Sequence, residues 1–266
     1  MDIVTRTPHR TRRGVPGRVI ALGGGVVLLA LALTGCGSSD ADDAPVERKT
    51  FALEGKTLTI DAEDASVELE PADVERVEVE RQVDGWVVPG SGPDPTWAME
   101  GGTLTLRVKC EALINNCEAR HRVKVPRDVS VTAASANGRV SASGFDRPLE
   151  LSSSNGEVRV TDVSGTLKLR SDNGKVRADR LSSPSVVARS DNGEVRLGFA
   201  TVPDLVDTVS DNGGITIDLP GGGREYAVDA SADNGDVSIG VPRGDDSAHV
   251  VKARSDNGHV TVRSAN

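Results

Sequence analysis

Aromatic residues are almost missing from this chain: three Phe, two Trp and one Tyr among 266 residues, or 2%. Its core must be built from Val, Leu, Ile and Ala, and stacking platforms for sugar rings or single-stranded bases are nearly excluded. Cationic excess is missing too. A net charge of −9 argues against binding nucleic acid through a basic face. Catalytic signatures are also lacking, with no GxSxG, HExxH or P-loop, and the four His, at 9, 121, 249 and 259, fall in unrelated positions. The sequence predicts no enzyme, no cofactor and no metal site. Hydrophobic residues at 37%, together with 29 Gly, still give an ordinary globular fraction rather than a disordered chain.

The first 35 residues carry the address. Five Arg and a single acid occupy residues 1–18, and an apolar stretch, Val19 to Leu33, follows. It is shorter than the roughly 20 residues needed to span a bilayer, so it reads as a secretory signal peptide. Directly after it stands Leu33-Thr34-Gly35-Cys36. This resembles the bacterial lipobox, in which cleavage before Cys follows attachment of a diacylglyceryl thioether. The resemblance implies lipid attachment at Cys36 and a location on the extracytoplasmic face of the cell membrane. Cleavage leaves 231 residues with a net charge of −13. Several acyl chains on one Cys make a stable anchor where one chain is marginal. Residues 36–48 are small and acidic and read as a flexible tether.

Export leaves two thiols in an oxidising compartment, Cys110 and Cys117. Alternating apolar residues stand on both sides: Leu104, Leu106 and Val108 before, Val123 and Val125 after. The spacing predicts two strands joined by a loop that a disulfide closes, within a β-rich region spanning residues 49–127. No CxxC motif supports thiol-exchange chemistry.

The strongest signal is an internal repeat over residues 128–266. Asn-Gly recurs at Asn137, Asn155, Asn173, Asn192, Asn212, Asn234 and Asn257, spaced 18 to 23 residues apart. Apolar residues stand six and four positions before each Asn, save Thr208, and three and five after, and the position two before is Ser except at Ala232. Period-two alternation on both sides of a bend means strand, corner, strand, with one face buried. Two all-β architectures fit. One is a parallel β-solenoid of about seven to eight short coils, with the seven Asn stacked as an inward amide ladder. The other is an antiparallel meander of Asn-Gly hairpins. A third apolar position (Phe145, Val163, Leu181, Phe199, Leu219 and Val241) suggests a third wall and favours the solenoid. Aligning Asp64-Ala65 with Asn-Gly adds a degenerate coil upstream, with Leu58, Ile60, Ala62, Val67 and Leu69 inward.

A Cys-anchored chain with the segment Val125-Pro126-Arg127-Asp128-Val129, followed by LxLxSxNGxVxV repeats, resembles a bacterial domain-of-unknown-function family described as candidate adhesins. The resemblance implies a non-catalytic surface domain and transfers no catalytic residues. Its expected partners are the membrane through the anchor, and an envelope glycan or protein. An accessory role in envelope-stress signalling is the alternative. Asp precedes Asn in five repeats (Asp172, Asp191, Asp211, Asp233 and Asp256). That column reads as turn hydrogen bonding, partly neutralised by Arg170, Arg189 and Arg254, rather than as a calcium site.

Overall fold

The computed structural model describes residues 41, 44–89, 92–110 and 114–265. Cys36, the leader and most of the tether lie outside the described residues. Seven strands come first: β1 (Glu47–Phe51), β2 (Thr57–Ala62), β3 (Ser66–Ala72), β4 (Val77–Val88), β5 (Asp94–Glu100), β6 (Thr103–Lys109) and β7 (Ile114–Pro126). The first four repeats supply β8 (Ser130–Ser135), β9 (Val140–Ser143), β10 (Leu149–Ser153), β11 (Val158–Thr161), β12 (Leu167–Ser171), β13 (Val176–Leu181), β14 (Ser185–Ser190) and β15 (Val195–Phe199). The last three supply β16 (Leu205–Asn212), β17 (Ile215–Pro220), β18 (Ala227–Asn234), β19 (Val237–Gly240), β20 (Val250–Asn257) and β21 (Val260–Ala265). No α-helix stands among the described residues.

These strands form two facing sheets, and the pairing between repeats is parallel. One sheet runs β1-β4-β7-β3-β9-β11-β13-β15-β17-β21-β19, the other β18-β20-β16-β14-β12-β10-β8-β2-β6-β5. Each repeat gives one strand to each sheet, the arrangement of a β-solenoid rather than of hairpins. Side-chain alternation explains why. Leu149 lies beside Val131 and Leu167, and Val176 beside Val158 and Val195, so one parity of every strand enters a continuous Val/Leu/Ile/Ala core. The upstream coil is real: Leu58 pairs with Val131, Ile60 with Ala133 and Val67 with Val140.

The structure extends some of these expectations and corrects others. First, within the N-terminal β-rich part β6 and β7 form a further coil beside β2 and β3, which brings the stack to nine. The core runs from the N-terminal strands into the repeats, and β1 takes in Glu47 and Arg48 of the expected tether. Second, β6 and β7 lie in different sheets, so Cys110–Cys117 staples a corner between sheets instead of a hairpin. Third, no third sheet exists among the described strands. Phe145, Val163, Leu181 and their equivalents are buried and close the side opposite the Asn corner as a narrow seam, where Ser164 N–H donates to Phe145 C=O and Ser182 N–H to Val163 C=O.

The fourth concerns order. The last repeat does not end the stack; β20/β21 slots between β16/β17 and β18/β19. The sixth repeat thereby becomes the edge coil. Its inward positions are small and incompletely covered: Val228, Ala230 and Ala232 are half-buried, and Val237 is exposed. A coil with Val251, Ala253, Val260 and Val262 buried gains more from two neighbours than this one would.

Candidate functional site

The expected repeat-turn ladder exists, but its geometry is inverted. All seven Asn are exposed. Asn155 Nδ2 donates to Asn137 Oδ1 at 2.7 Å, and Asn173, Asn192 and Asn212 each donate to the preceding Asn at 3.0 Å. Asn257 continues the chain to Asn212 at 3.0 Å, and Asn234 donates to Asn257 at 3.1 Å, following the spatial rather than the sequence order. Asp64 accepts from Asn137 and begins the ladder. Every one of these Asn except Asn137 also donates to the carbonyl preceding the neighbouring Asn, as Asn173 does to Ser154 C=O. Both donors of one NH₂ group are thus used, which no carboxylate could do.

The inward corner residue is the serine two positions earlier. Ser153, Ser171, Ser190, Ser210 and Ser255 are buried, and each hydroxyl donates to a glycine carbonyl of the neighbouring coil where the chain bends. Ser171 Oγ donates to Gly156 C=O at 3.0 Å and accepts from Gly174 N–H at 2.9 Å; Ser153 repeats this with Gly138 and Gly156. A backbone donor and a carbonyl that would otherwise be stranded at a dry corner are both satisfied. The glycines have a different reason from that of a hairpin turn. A Cβ on Gly156 would lie 2.1 Å from Gly138 C=O, and one on Gly174 2.1 Å from Gly156 C=O. Close approach of stacked backbones, not a left-handed φ, demands them.

Outside this corner, Arg170 Nη2 lies 2.9 Å from both Asp172 and Asp191, and Arg254 reaches Asp233 and Asp256 at 3.2 Å. Arg189 instead faces Asp207 at 3.7 Å. Among the described residues no cluster of three or more His, Cys, Asp or Glu could hold a metal. On the other sheet, Arg159, Arg177 and Arg196 stack in register, with Glu157 and Glu194 beside them. Arg120, Arg139, Arg159, Ser141 and Thr161 line a shallow groove on that face.

The three His outside the leader stay apart. His249 approaches Pro203 C=O at 3.0 Å, and His259 Nδ1 accepts from Asp236 N–H at 3.1 Å. His121 is fully buried opposite Arg81 across the β4–β7 pair, and neither ring nitrogen has a partner among the described residues. Burial, reinforced by the Arg81 charge, pushes its pKa down to about 4. Arg81 bonds Glu47 and lies 4.0 Å from the Trp97 ring centroid. No sequence pattern announced this cluster, since His121 and Arg81 sit in strands that otherwise alternate normally.

The Toastrack DUF4097 family matches residues 127–266. Among solved structures, a candidate adhesin from Bacteroides fragilis NCTC 9343 is similar at 14% identity and TM-score 0.51, covering 83% of this chain and 97% of its own. A candidate cell adhesion protein from Clostridium sporogenes ATCC 15579 is 10% identical with TM-score 0.39, covering 84% and 100%. A candidate adhesin from Parabacteroides merdae ATCC 43184 is 12% identical with TM-score 0.40, covering 84% and 98%. No curated protein matches the chain.

Proposed function

The chain belongs to the Toastrack DUF4097 family, and from that membership we propose that it is a lipid-anchored cell-envelope protein presenting a non-catalytic β-repeat domain, which binds surface partners as an adhesin does. One observation carries the reading. The outward positions of successive coils repeat the same chemistry in register: Glu150 beside Lys168, and Arg159, Arg177 and Arg196 in one column. A face that repeats at about 4.8 Å offers an extended polymer many equivalent weak contacts, whose avidity multiplies. Envelope glycan strands and extended polypeptides have that character. The anchor in this reading rests on Leu33-Thr34-Gly35-Cys36.

Cross-linking in intact envelopes, followed by recovery of the protein, tests the binding role. Glycan fragments or several surface proteins are the expected catch. Recovery of a single membrane protein in stoichiometric amount would replace adhesion with the signalling role. Cys36→Ala should accumulate as unprocessed precursor or leave the membrane fraction. Persistence of a cleaved, membrane-bound 231-residue product in that variant would refute the anchor.

A further inference from the structure

The first coil overshoots the others. Where β3 begins at Ser66, paired with Arg120, β7 has already run through residues 114–119, matched by the far end of β4. The resulting tip is held from behind. Cys110–Cys117 ties the end of β6 to β7, and Ala65, Val108 and Ala119 form a small separate core beneath it, with Val83 and Cys110 packed alongside. Its outward face changes character along its length. Pairs of charged and polar residues (Glu80 with Arg122, Gln82 with Arg120, Asp84 with Glu118) give way to Trp86 with Asn116 and then Val88 with Ile114. Trp86, Val88 and Ile114 are 40%, 52% and 59% exposed. Half of the chain's Trp and, among the described residues, two of the most exposed large aliphatics are therefore gathered on one stapled projection.

The route of the N-terminal segment identifies what covers them. β1 runs antiparallel to β4, with Glu47 opposite Arg81, so the chain traced backwards from Glu47 travels toward the tip. Gln82 Nε2 donates to Ala44 C=O at 3.1 Å, which holds that segment to β4 on the parity that carries Trp86 and Val88. Trp86 stands four residues beyond Gln82, roughly 13 Å along the strand. Eight residues separate Ala44 from Cys36, a contour of at most about 29 Å. We propose that the Trp86–Val88–Ile114 tip rests in the headgroup region of the bilayer to which Cys36 is anchored, making a second membrane contact that fixes which face of the repeat domain looks outward. This rests on the anchor reading above. An amphipathic Trp flanked by aliphatics suits that depth, and a lipid anchor joined by a nearby apolar contact is a two-signal attachment.

The test uses the protein purified from membranes and reconstituted into phosphatidylcholine vesicles with one-third phosphatidylglycerol. Lipids brominated near the headgroup should quench wild-type Trp emission more strongly than lipids brominated near the chain ends. Trp86→Phe, an exposed substitution that leaves only the half-buried Trp97, should abolish that quenching, and Val88→Ser with Ile114→Ser should weaken it. Vesicle flotation with Trp86 open to iodide and unquenched by lipid would overturn the contact while leaving the anchor standing. Trp86 shielded from iodide yet unquenched would overturn it in favour of a protein neighbour. Failure to float would remove the anchor reading, and this contact with it.

Discussion

The coils from β8 to β17 and the cap formed by β1 and β4–β7 enclose one continuous core by opposite means. In the repeat region the same few interactions recur: a buried Val or Leu over its counterpart, a Ser hydroxyl across a corner, an Asn amide on its neighbour. Aromatics are rare there, and no buried side chain is formally charged. The cap is built from single occurrences. It holds both Trp, the disulfide, the antiparallel pairs, a buried Arg81 and a buried His121. Repetition lets a stack grow without specifying each contact, because each coil meets only its neighbours. An end needs unrepeated devices, since a bare sheet edge is a template for further pairing. At the other end, no such strands cover the β18/β19 coil among the described residues.

The largest effect that sharpens this contrast is expected at Val176. It is fully buried between Val158 and Val195, and burial of a Val is worth roughly 1.5–3 kcal/mol. An unpaired carboxylate in its place adds a desolvation cost larger than that loss. Val176→Asp should therefore unfold the central coils, seen as lost far-UV strand signal at ambient temperature. Lys175→Asp, one residue away and exposed, should stay within about 0.5 kcal/mol of wild type in urea unfolding. Equal damage from both would break the assignment of parity on which the whole repeat region depends.

The next effect belongs to the cap and depends on pH. His121 stays neutral in the fold down to about pH 4, whereas an unfolded chain takes up that proton near pH 6.5. Between those values acid favours the unfolded state, at up to about 1.4 kcal/mol per pH unit. Stability is intact above pH 6.5, falls from there to about pH 4, and takes no further loss from this group below. His121→Leu should flatten urea midpoints measured at pH 7, 5.5 and 4, with no loss at pH 7, because two unpartnered buried nitrogens disappear. The exposed Asp73, Asp128 and Asp162, whose pKa values Arg127, Lys56 and Arg180 hold below the usual carboxylate range, act in a lower window. Their contribution is present above pH 3.8 and is lost as pH drops through their folded values. A variant as acid-sensitive as wild type between pH 6.5 and 4 would remove His121 from the account.

The same contrast governs what was legible in advance. Repetition is visible in one sequence: seven aligned frames identified the inward Val, Leu and Ile positions, and even the degenerate frame at Asp64-Ala65 is a true coil. The cap had no second copy to align against. Leu104, Leu106, Val123 and Val125 stand in alternating, strand-like runs, but nothing local told β6 and β7 that they belong to different sheets. The swap of the last two coils is long-range in the same sense. Its one local trace is Ala232, the frame without serine, which marks the edge coil. The outward facing of Asn was not legible because Asn-Gly reads equally as a tight turn, and the close approach of stacked glycine backbones has no signature within a single repeat.

Ser171→Ala probes the buried half of the corner. It strands Gly174 N–H and Gly156 C=O where water has poor access, and an unsatisfied buried group costs about 1–3 kcal/mol. A loss in that range in urea unfolding, with strand content unchanged, is expected. No measurable change would mean that the hydroxyl is dispensable and that packing alone shapes the corner.

The smallest effect is expected where the repeat is most conspicuous to the eye. Asn173 donates to Asn155 and Ser154 and accepts from Asn192, three bonds against the two of Ser171. Counted by bonds, Asn173→Ala should be the worse substitution. Exposure reverses that order, because water can replace an amide at the surface, and the groups left behind at Asn155 and Asn192 are hydrated instead of stranded. The net worth of such bonds is about 0.5–1.5 kcal/mol, and a single deletion should fall at the lower end. Urea midpoints of Ser171→Ala and Asn173→Ala, measured side by side, decide the matter. A larger loss for serine follows from an outward amide ladder over an inward hydroxyl ladder. A larger loss for asparagine would mean that the amides face the dry side of the corner, and that the distinction drawn between the two ladders is wrong.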